Sequence, residues 1–587
     1  MIEKTRSNYD KNPFVRVSHK TEDCITGWDG IIAEIHRKLQ NCESKYIKIV
    51  VDCYSGVDEE EVIKAFSKGF PKGTIRHTYD VMYSKSYIDS LLFKNITYDP
   101  LFGYITDENI SRFFSFAKTF PQYAHDYMPP CEIFIGAGAS YLCPKADVLI
   151  YVDMARWEIQ KRLRTRRTAN LGSKRYMTDS AKKYKVAYFI DWPILDRHKK
   201  TVLYKSDYII DANIRNNPKM ITRDLFEKGL EKTVSQPFRL VPFFDPGPWG
   251  GQWMKKNFDL DKEPVNYAWC FDCVPEANSL VFAFGDTHFE IPALDLVFRH
   301  PEKLLGQHVF KRFGDEFPIR FDILDTMDGG NLSVQVHPTT EYIQEQFGMK
   351  YTQDESYYLL DTGSEAAVYL GLNENVDPET MISAFTEATR SRKLDVDKFV
   401  SKYSVTKHDH LLIPAGTVHG SGRNCVVLEI SATPYIFTFK LWDWNRLDLD
   451  GSMRPLNIER GKDVIQWDRR ESWVSRELIN RFETISKDED IHEERTGLHE
   501  LEFIETHRHK FRKTVLHHTG GSVNVLNLVS GREAIVESPS GAFEPLIVHY
   551  AETFIIPECV GEYTITPYGE SEGKYCMTIK AFVRSNE

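Results

Sequence analysis

Two hydrophobic rhythms divide the chain. Over residues 1–235, apolar runs of strand length alternate with mixed-charge stretches of helical period. The pattern predicts a helix over 28–40, a strand over 46–52, a short turn over 53–58 and a helix over 59–66. Further strands are predicted over 132–135, 148–152 and 208–211, with charged helices between them. Strands separated by helices imply a mostly parallel α/β sheet.

Near Gln236-Pro237 the rhythm changes to short apolar alternations broken by turns. Strands are predicted over 281–284, 320–324, 332–336, 411–413 and 426–430, a spacing that suggests a β-sandwich or barrel. A helical insert is predicted over 378–400, with Asp377 as its N-cap and Pro378 at the first helical position. The run 486–495 is dense in charge and reads as a solvated linker; the strand patterns at 522–528 and 552–557 then open a smaller β-unit. The expected organisation is therefore 1–235, 236–485 and 486–587.

At 587 residues the chain exceeds what one core serves, and a hydrophobic content of 42% gives each part a core. The 13% aromatic content suits β-rich architecture. A formal charge of −11 argues against nucleic-acid binding. No apolar run reaches the ~18 residues of a membrane span, and the start Met1-Ile-Glu-Lys-Thr-Arg-Ser7 lacks an apolar signal core. The ten cysteines are scattered, and the lone Cys270/Cys273 pair reads as buried thiols. A reduced, cytoplasmic, soluble protein is expected.

The chemistry concentrates in three separated segments. Gln335 and His337 lie two apart on a strand pattern and so share a face, and Pro338 ends that strand. Glu355 follows in Asp354-Glu-Ser-Tyr-Tyr-Leu359, and His419 closes Ile413-Pro-Ala-Gly-Thr-Val-His419. Two imidazoles, a carboxylate and an amide oxygen can hold zinc with room for a ligand.

Residues 240–587 resemble the class I mannose-6-phosphate isomerases in their short bacterial form. The resemblance rests on Pro248-Trp-Gly-Gly251, Glu316-Phe-Pro-Ile319, Leu332-Ser-Val-Gln-Val-His-Pro338, the glutamate Glu355, the motif ending at His419, Leu428-Glu-Ile430 and Trp442-Asp-Trp-Asn-Arg446, all in order. It implies cupin jelly-rolls, one zinc per chain held by Gln335, His337, Glu355 and His419, and aldose–ketose isomerisation of a sugar 6-phosphate. Lys440 and Arg446 would then be catalytic, and Arg320 and Trp249 would contact substrate. The family's active-site Arg corresponds to Lys440, a family Lys to Asp322 and another to Gln353. The metal set is kept while cations are changed, and Arg and Lys are not interchangeable.

The layout of residues 1–235 resembles uridine-kinase or phosphoribulokinase type P-loop kinases. The loop Asp52-Cys-Tyr-Ser-Gly-Val-Asp-Glu-Glu60 lacks the P-loop Lys and is acidic, while 152–167 resembles a basic lid helix with Arg162, Arg164, Arg166 and Arg167. That implies a degenerate kinase-like domain without ATP turnover. The leading expectation is a zinc-dependent mannose 6-phosphate/fructose 6-phosphate isomerase whose partner is a small sugar phosphate. The alternative is a non-catalytic or altered-specificity sugar-phosphate-binding, regulatory cupin protein fused to a pseudokinase-like domain. A third is an active N-terminal kinase. His507, His509, His517 and His518 read as surface residues of a C-terminal cupin without metal.

Overall fold

The apolar strands of the N-terminal part assemble into a seven-stranded sheet. This is a computed structural model, and it describes residues 7–44, 46–115, 118, 120, 129–165, 167–173, 179–432, 436–449, 451–497 and 499–584. Ile47–Cys53 lies at the centre, parallel to Cys131–Gly136 on one side and Val148–Asp153 on the other. Thr74–His77 adds beyond Cys131–Gly136, and Tyr208–Asp211 beyond Val148–Asp153, both parallel. Lys219–Thr222 and Ile25–Thr26 complete that side antiparallel. Continuous apolar runs such as Ile49-Val-Val51 suit strands covered on both faces, and all three residues are 0% exposed.

The acidic turn predicted before the second helix has a local structural role. Asp58 caps helix Glu59–Gly69 by accepting the Glu61 amide hydrogen at 3.2 Å. Glu59 accepts from the Ala137 amide at 3.1 Å and contacts His77 Nε2 at 2.7 Å. Asp52, at the carboxyl end of the central strand, accepts from the Gly138 and Ser140 amides at 3.1 and 2.8 Å. The basic helix is Arg156–Arg164. Arg162 donates to the Gly56, Ala212 and Asn213 carbonyls at 3.0–3.1 Å, and Arg164 forks onto Asp245 at 2.9 Å. These two guanidiniums therefore bind protein groups; Arg166 lies outside the described residues.

The three expected parts are interlocked. Strand Val15–Ser18 runs parallel to Ser279–Phe284, which forms a hairpin with Thr287–Pro292, so the start of the chain completes a sheet begun far downstream. Lys199 reaches from helix Trp192–Val202 to Asp153 and Asp295 at 2.6 and 2.7 Å. Arg239 donates to the Asp10 carbonyl and pairs with Glu552, each at 2.9 Å.

The middle part is a two-sheet sandwich. Its six-stranded sheet runs His410–Ile413, Glu355–Thr362, Cys425–Ala432, Ile319–Asp325, Trp269–Cys273, Phe243–Asp245. Its five-stranded sheet runs Val400–Ser404, Ala367–Leu372, His419–Ser421, Val334–Val336, Phe439–Trp442. The insert is the helix Pro378–Ser391, capped by Asp377 on the Thr380 amide at 2.8 Å; it ends short of the expected 400, where strand Val400–Ser404 begins.

The charged run read as a linker is instead the hairpin Glu483–Lys487/Ile491–Gly497, the opening strands of a second sandwich. Its charges find cross-strand partners: Arg495 with Glu483 at 3.1 Å and Arg508 with Glu494 at 2.6 Å. The six-stranded sheet it starts includes Ile504–Phe511, Cys576–Val583, Asn524–Ser530 and Thr553–Ile556; Val515–His518, Glu562–Pro567, Glu533–Glu537 and Leu546–His549 form the facing four-stranded sheet. None of the ten cysteines forms a disulfide, and Cys270 and Cys273 are both buried. Among the described residues no helix is long and apolar enough to cross a membrane.

Candidate metal centre

The four predicted ligands come from both sheets of the middle sandwich. Gln335 sits mid-strand in Val334–Val336, directly opposite His419 on one neighbouring strand and Lys440 on the other. Directly opposed residues share a face, so amide, imidazole and ammonium form a row. Glu355 starts the strand Glu355–Thr362 in the facing sheet. The turn before His419 explains its motif. Gly416 has φ +88°, and a Cβ there would lie 2.6 Å from the Gln466 side chain and 3.0 Å from the Val464 carbonyl. The Gly416 amide donates to the His337 carbonyl at 2.9 Å, drawing the two histidine segments together.

The ligand atoms of His337, Glu355 and His419 lie within 4.8 Å of one another, all buried. His337 Nδ1 meets the Phe437 carbonyl at 3.2 Å and His419 Nδ1 the Thr417 carbonyl at 2.9 Å. A carbonyl only accepts, so both Nδ1 atoms carry the proton and the Nε2 lone pairs face inward. There they meet Glu355: His337 Nε2 is 3.1 Å from Oε2 and His419 Nε2 is 2.9 Å from Oε1. Two acceptor nitrogens against one carboxylate repel unless a cation lies between them, and backbone-oriented imidazoles are the usual outer support of a metal. Burial pushes the Glu355 carboxyl up, and positive charge on its imidazole side brings it well below the usual carboxylate range. Gln335 Nε2 is 3.2 Å from His419 Nε2 while Oε1 accepts from Ser333 Oγ at 3.0 Å. The O/N orientation of such an amide is assigned from hydrogen bonding, and the flipped amide turns its oxygen to the same point. This donor set fits zinc.

Three of the four other predicted residues, Arg320, Trp249 and Arg446, are held by protein groups. Arg320, expected at substrate, is 4% exposed; it bonds Asp322 Oδ1 at 3.0 Å and pairs with Glu429. It compensates carboxylates that face the metal set: burial, opposed by Arg320, still pushes the Asp322 carboxyl up to about 6, and Glu429 well above its usual range. Trp249, also expected at substrate, is 1% exposed, packs edge-on against Trp269 at 4.7 Å, and accepts the Gly330 amide on its carbonyl at 2.9 Å. Its apolar ring supports the loop entering strand Val334–Val336. Arg446, expected to be catalytic, donates to the Asn331 carbonyl at 2.8 Å and to Asp443 at 2.6 Å, bracing the same loop. Arg320 stands in register with Ser431 and through it with Glu355, so it shares that ligand's face in one sheet, and Lys440 shares the face of Gln335 in the other. Burial, reinforced by the Arg454 guanidinium, pushes its ammonium down to about 8.

Sequence reasoning missed two supports. Asp354 accepts the Ala415 amide at 2.8 Å, and Arg469 donates to the Pro414 and Ala415 carbonyls and to Thr417 Oγ1 at 2.6–2.7 Å, locking the turn before His419. Asp354 adjoins a predicted ligand, which is a usable signal; nothing local marks Arg469. A cleft of about 420 Å³ opens two residues along the strand from Lys440, lined by Trp442, Trp444, Asn445 and 392–395. Trp444 and Asn445 hold φ +54° and +55°, and Trp444 Nε1 donates to the Leu332 carbonyl at 2.7 Å. Consecutive left-handed residues are strained and persist only where surrounding contacts hold them.

A family model described as a domain of unknown function (DUF8485) matches residues 27–235. Over 234 residues the chain is 26% identical to mannose-6-phosphate isomerase ManA of Bacillus subtilis, covering 40% of this chain and 69% of that protein. Over 236 residues it is 29% identical to the mannose-6-phosphate isomerase of Streptococcus mutans, covering 40% and 68%. A solved mannose 6-phosphate isomerase from Bacillus subtilis superposes with TM-score 0.49 at 18% identity, covering 59% of this chain and 99% of the other. The chain is thus homologous to mannose-6-phosphate isomerases over about 40% of its length.

Proposed function

We propose that the chain is a zinc-dependent aldose–ketose isomerase interconverting mannose 6-phosphate and fructose 6-phosphate, with Gln335, His337, Glu355 and His419 as ligands. The observation that carries this reading is the convergence of two backbone-oriented imidazole Nε2 atoms on one buried carboxylate. The reaction shifts a carbonyl between C1 and C2 by moving protons through an enediol, with no net oxidation. Zinc held by these residues supplies polarisation of the substrate oxygens. Lys440, on the face shared with Gln335, offers a cation where negative charge develops and, with an ammonium at about 8, can hold or release a proton near neutral pH. Arg446 and Trp249 position the loop that precedes Gln335. The test is to add zinc and mannose 6-phosphate to the purified chain and follow fructose 6-phosphate. Conversion that stops on chelation and returns with zinc is expected; no conversion at high enzyme concentration overturns the assignment.

A second reading, a sugar-phosphate-binding protein without turnover, is supported by the neutralisation of Arg320 by Asp322 and Glu429. A saturable mannose 6-phosphate isotherm with no product selects it.

The N-terminal part is read as a kinase-like unit without ATP turnover. Asp58, Glu59 and Asp52 already accept the amides at the carboxyl edge of its sheet, and a phosphate there would face carboxylates instead of a Lys. Magnesium-ATP is expected to leave the thermal midpoint unchanged; a rise of several degrees or ATP hydrolysis contradicts this reading.

A further inference from the structure

Of the four histidines expected at the surface of the second sandwich, His509 and His517 are buried, His507 is half-buried and His518 is exposed. His507 and His509 lie two apart on strand Ile504–Phe511 and share a face. Glu493, on the hairpin strand Ile491–Gly497, lies directly opposite His509. The ligand atoms of Glu493, His507 and His509 fall within 4.8 Å of one another. Both imidazoles address the same oxygen: His507 Nδ1 is 2.9 Å and His509 Nε2 3.1 Å from Glu493 Oε1. From the facing sheet, His517 brings its ring to 4.5 Å from that of His509 and stacks on Tyr563 at 5.1 Å.

Two further features point to a ligand. His517 Nε2 has no hydrogen-bond partner among the described residues, although the residue is only 4% exposed. Leaving such a polar atom buried and unpaired is unfavourable. In addition, His507 is held from behind: its Nε2 bonds Glu505 Oε1 at 2.9 Å, and Glu505 is itself paired with Arg495 at 3.0 Å and Arg584 at 3.3 Å. A carboxylate on the far nitrogen of an imidazole fixes its tautomer and turns the other nitrogen's lone pair toward a metal.

We propose that Glu493, His507 and His509, with His517 beside them, form a second divalent transition-metal site. Imidazole and carboxylate donors of this kind select zinc or a neighbouring first-row ion. Lys580 lies directly opposite His507 on the next strand and opposes the cation; the Glu493 and Glu505 carboxylates outnumber it. The partial exposure of Glu493 and His507 leaves a way in. This site does not depend on the isomerase reading.

The test is metal stoichiometry of the full chain, stripped with chelator, dialysed against zinc and assayed by elemental analysis, with cobalt(II) absorption as a second readout. Wild type is expected to hold two ions, and Glu493→Gln/His509→Gln one, with affinity for the lost ion reduced more than ~100-fold, beyond what an outer-sphere change produces. His337→Ala/His419→Ala is expected to retain one ion, and to lose it when combined with Glu493→Gln/His509→Gln. If the first centre alone fails to bind, wild type holds one ion and Glu493→Gln/His509→Gln holds none. Stoichiometry unaffected by Glu493→Gln/His509→Gln overturns the proposal. Anomalous scattering from zinc-soaked wild-type crystals needs no substitution: a peak between Glu493 and His509 supports the site, and its absence at saturating zinc overturns it.

Discussion

His337→Ala is expected to reduce kcat/KM for mannose 6-phosphate by about 10³ or more, because the metal's charge stabilisation is worth several kcal/mol and each ~1.4 kcal/mol is tenfold. The substitution deletes an inward Nε2 and leaves Glu355, 1% exposed, with one imidazole fewer to offset its burial. Zinc affinity of the middle sandwich should fall by more than ~100-fold. His419→Ala should match it, whereas Gln335→Ala should do less, since the amide is a neutral donor. Elemental analysis and the coupled assay are read together, with circular dichroism confirming the fold. Unchanged zinc content and turnover in folded His337→Ala would falsify the metal centre.

Lys199→Met is expected to cost about 3–5 kcal/mol of stability, the range for removing one partner of a buried ion pair. Lys199 is 1% exposed and sits between Asp153 and Asp295, which are 1% and 0% exposed. Burial alone would lower its ammonium, but the two carboxylates raise it above its ordinary value. The Asp295 carboxyl is in turn pushed well above its usual range, mainly by burial, with Lys199 opposing and Asp153 adding to the rise. Methionine leaves two buried carboxyls facing each other across the joint between the N-terminal sheet and helix Leu294–Arg299. Urea unfolding measures the loss, and Lys199→Met/Asp295→Asn should recover part of it. A change below ~1 kcal/mol would show that this joint does not hold the parts together.

Strand and helix periodicity placed most elements. Ile47–Cys53 and Cys131–Gly136 read as buried strands because both faces are covered, and Asp377-Pro378 marked a helix start because capping is a local event. The run 486–495 misled because cross-strand ion pairing looks like solvation when the partner strands are not known. That misreading hid Glu493, and with it the reason His507 and His509 turn inward. Arg320 was legible as a cation, but not as one already committed to Glu429.

What residue order alone determined is whatever depends on neighbours a few positions apart. It set Gln335 and His337 on one strand face, the left-handed turn at Gly416 and the alternation that builds each sheet. Which charges remain available for chemistry was decided only by tertiary structure. The partner of Arg320 lies 109 residues away, that of Lys199 lies 96 away, and Arg239 reaches the backbone of Asp10 229 residues back. Such pairings exist only once the loops between them close, and in a dry interior a single carboxylate decides whether an arginine meets a substrate or balances the fold.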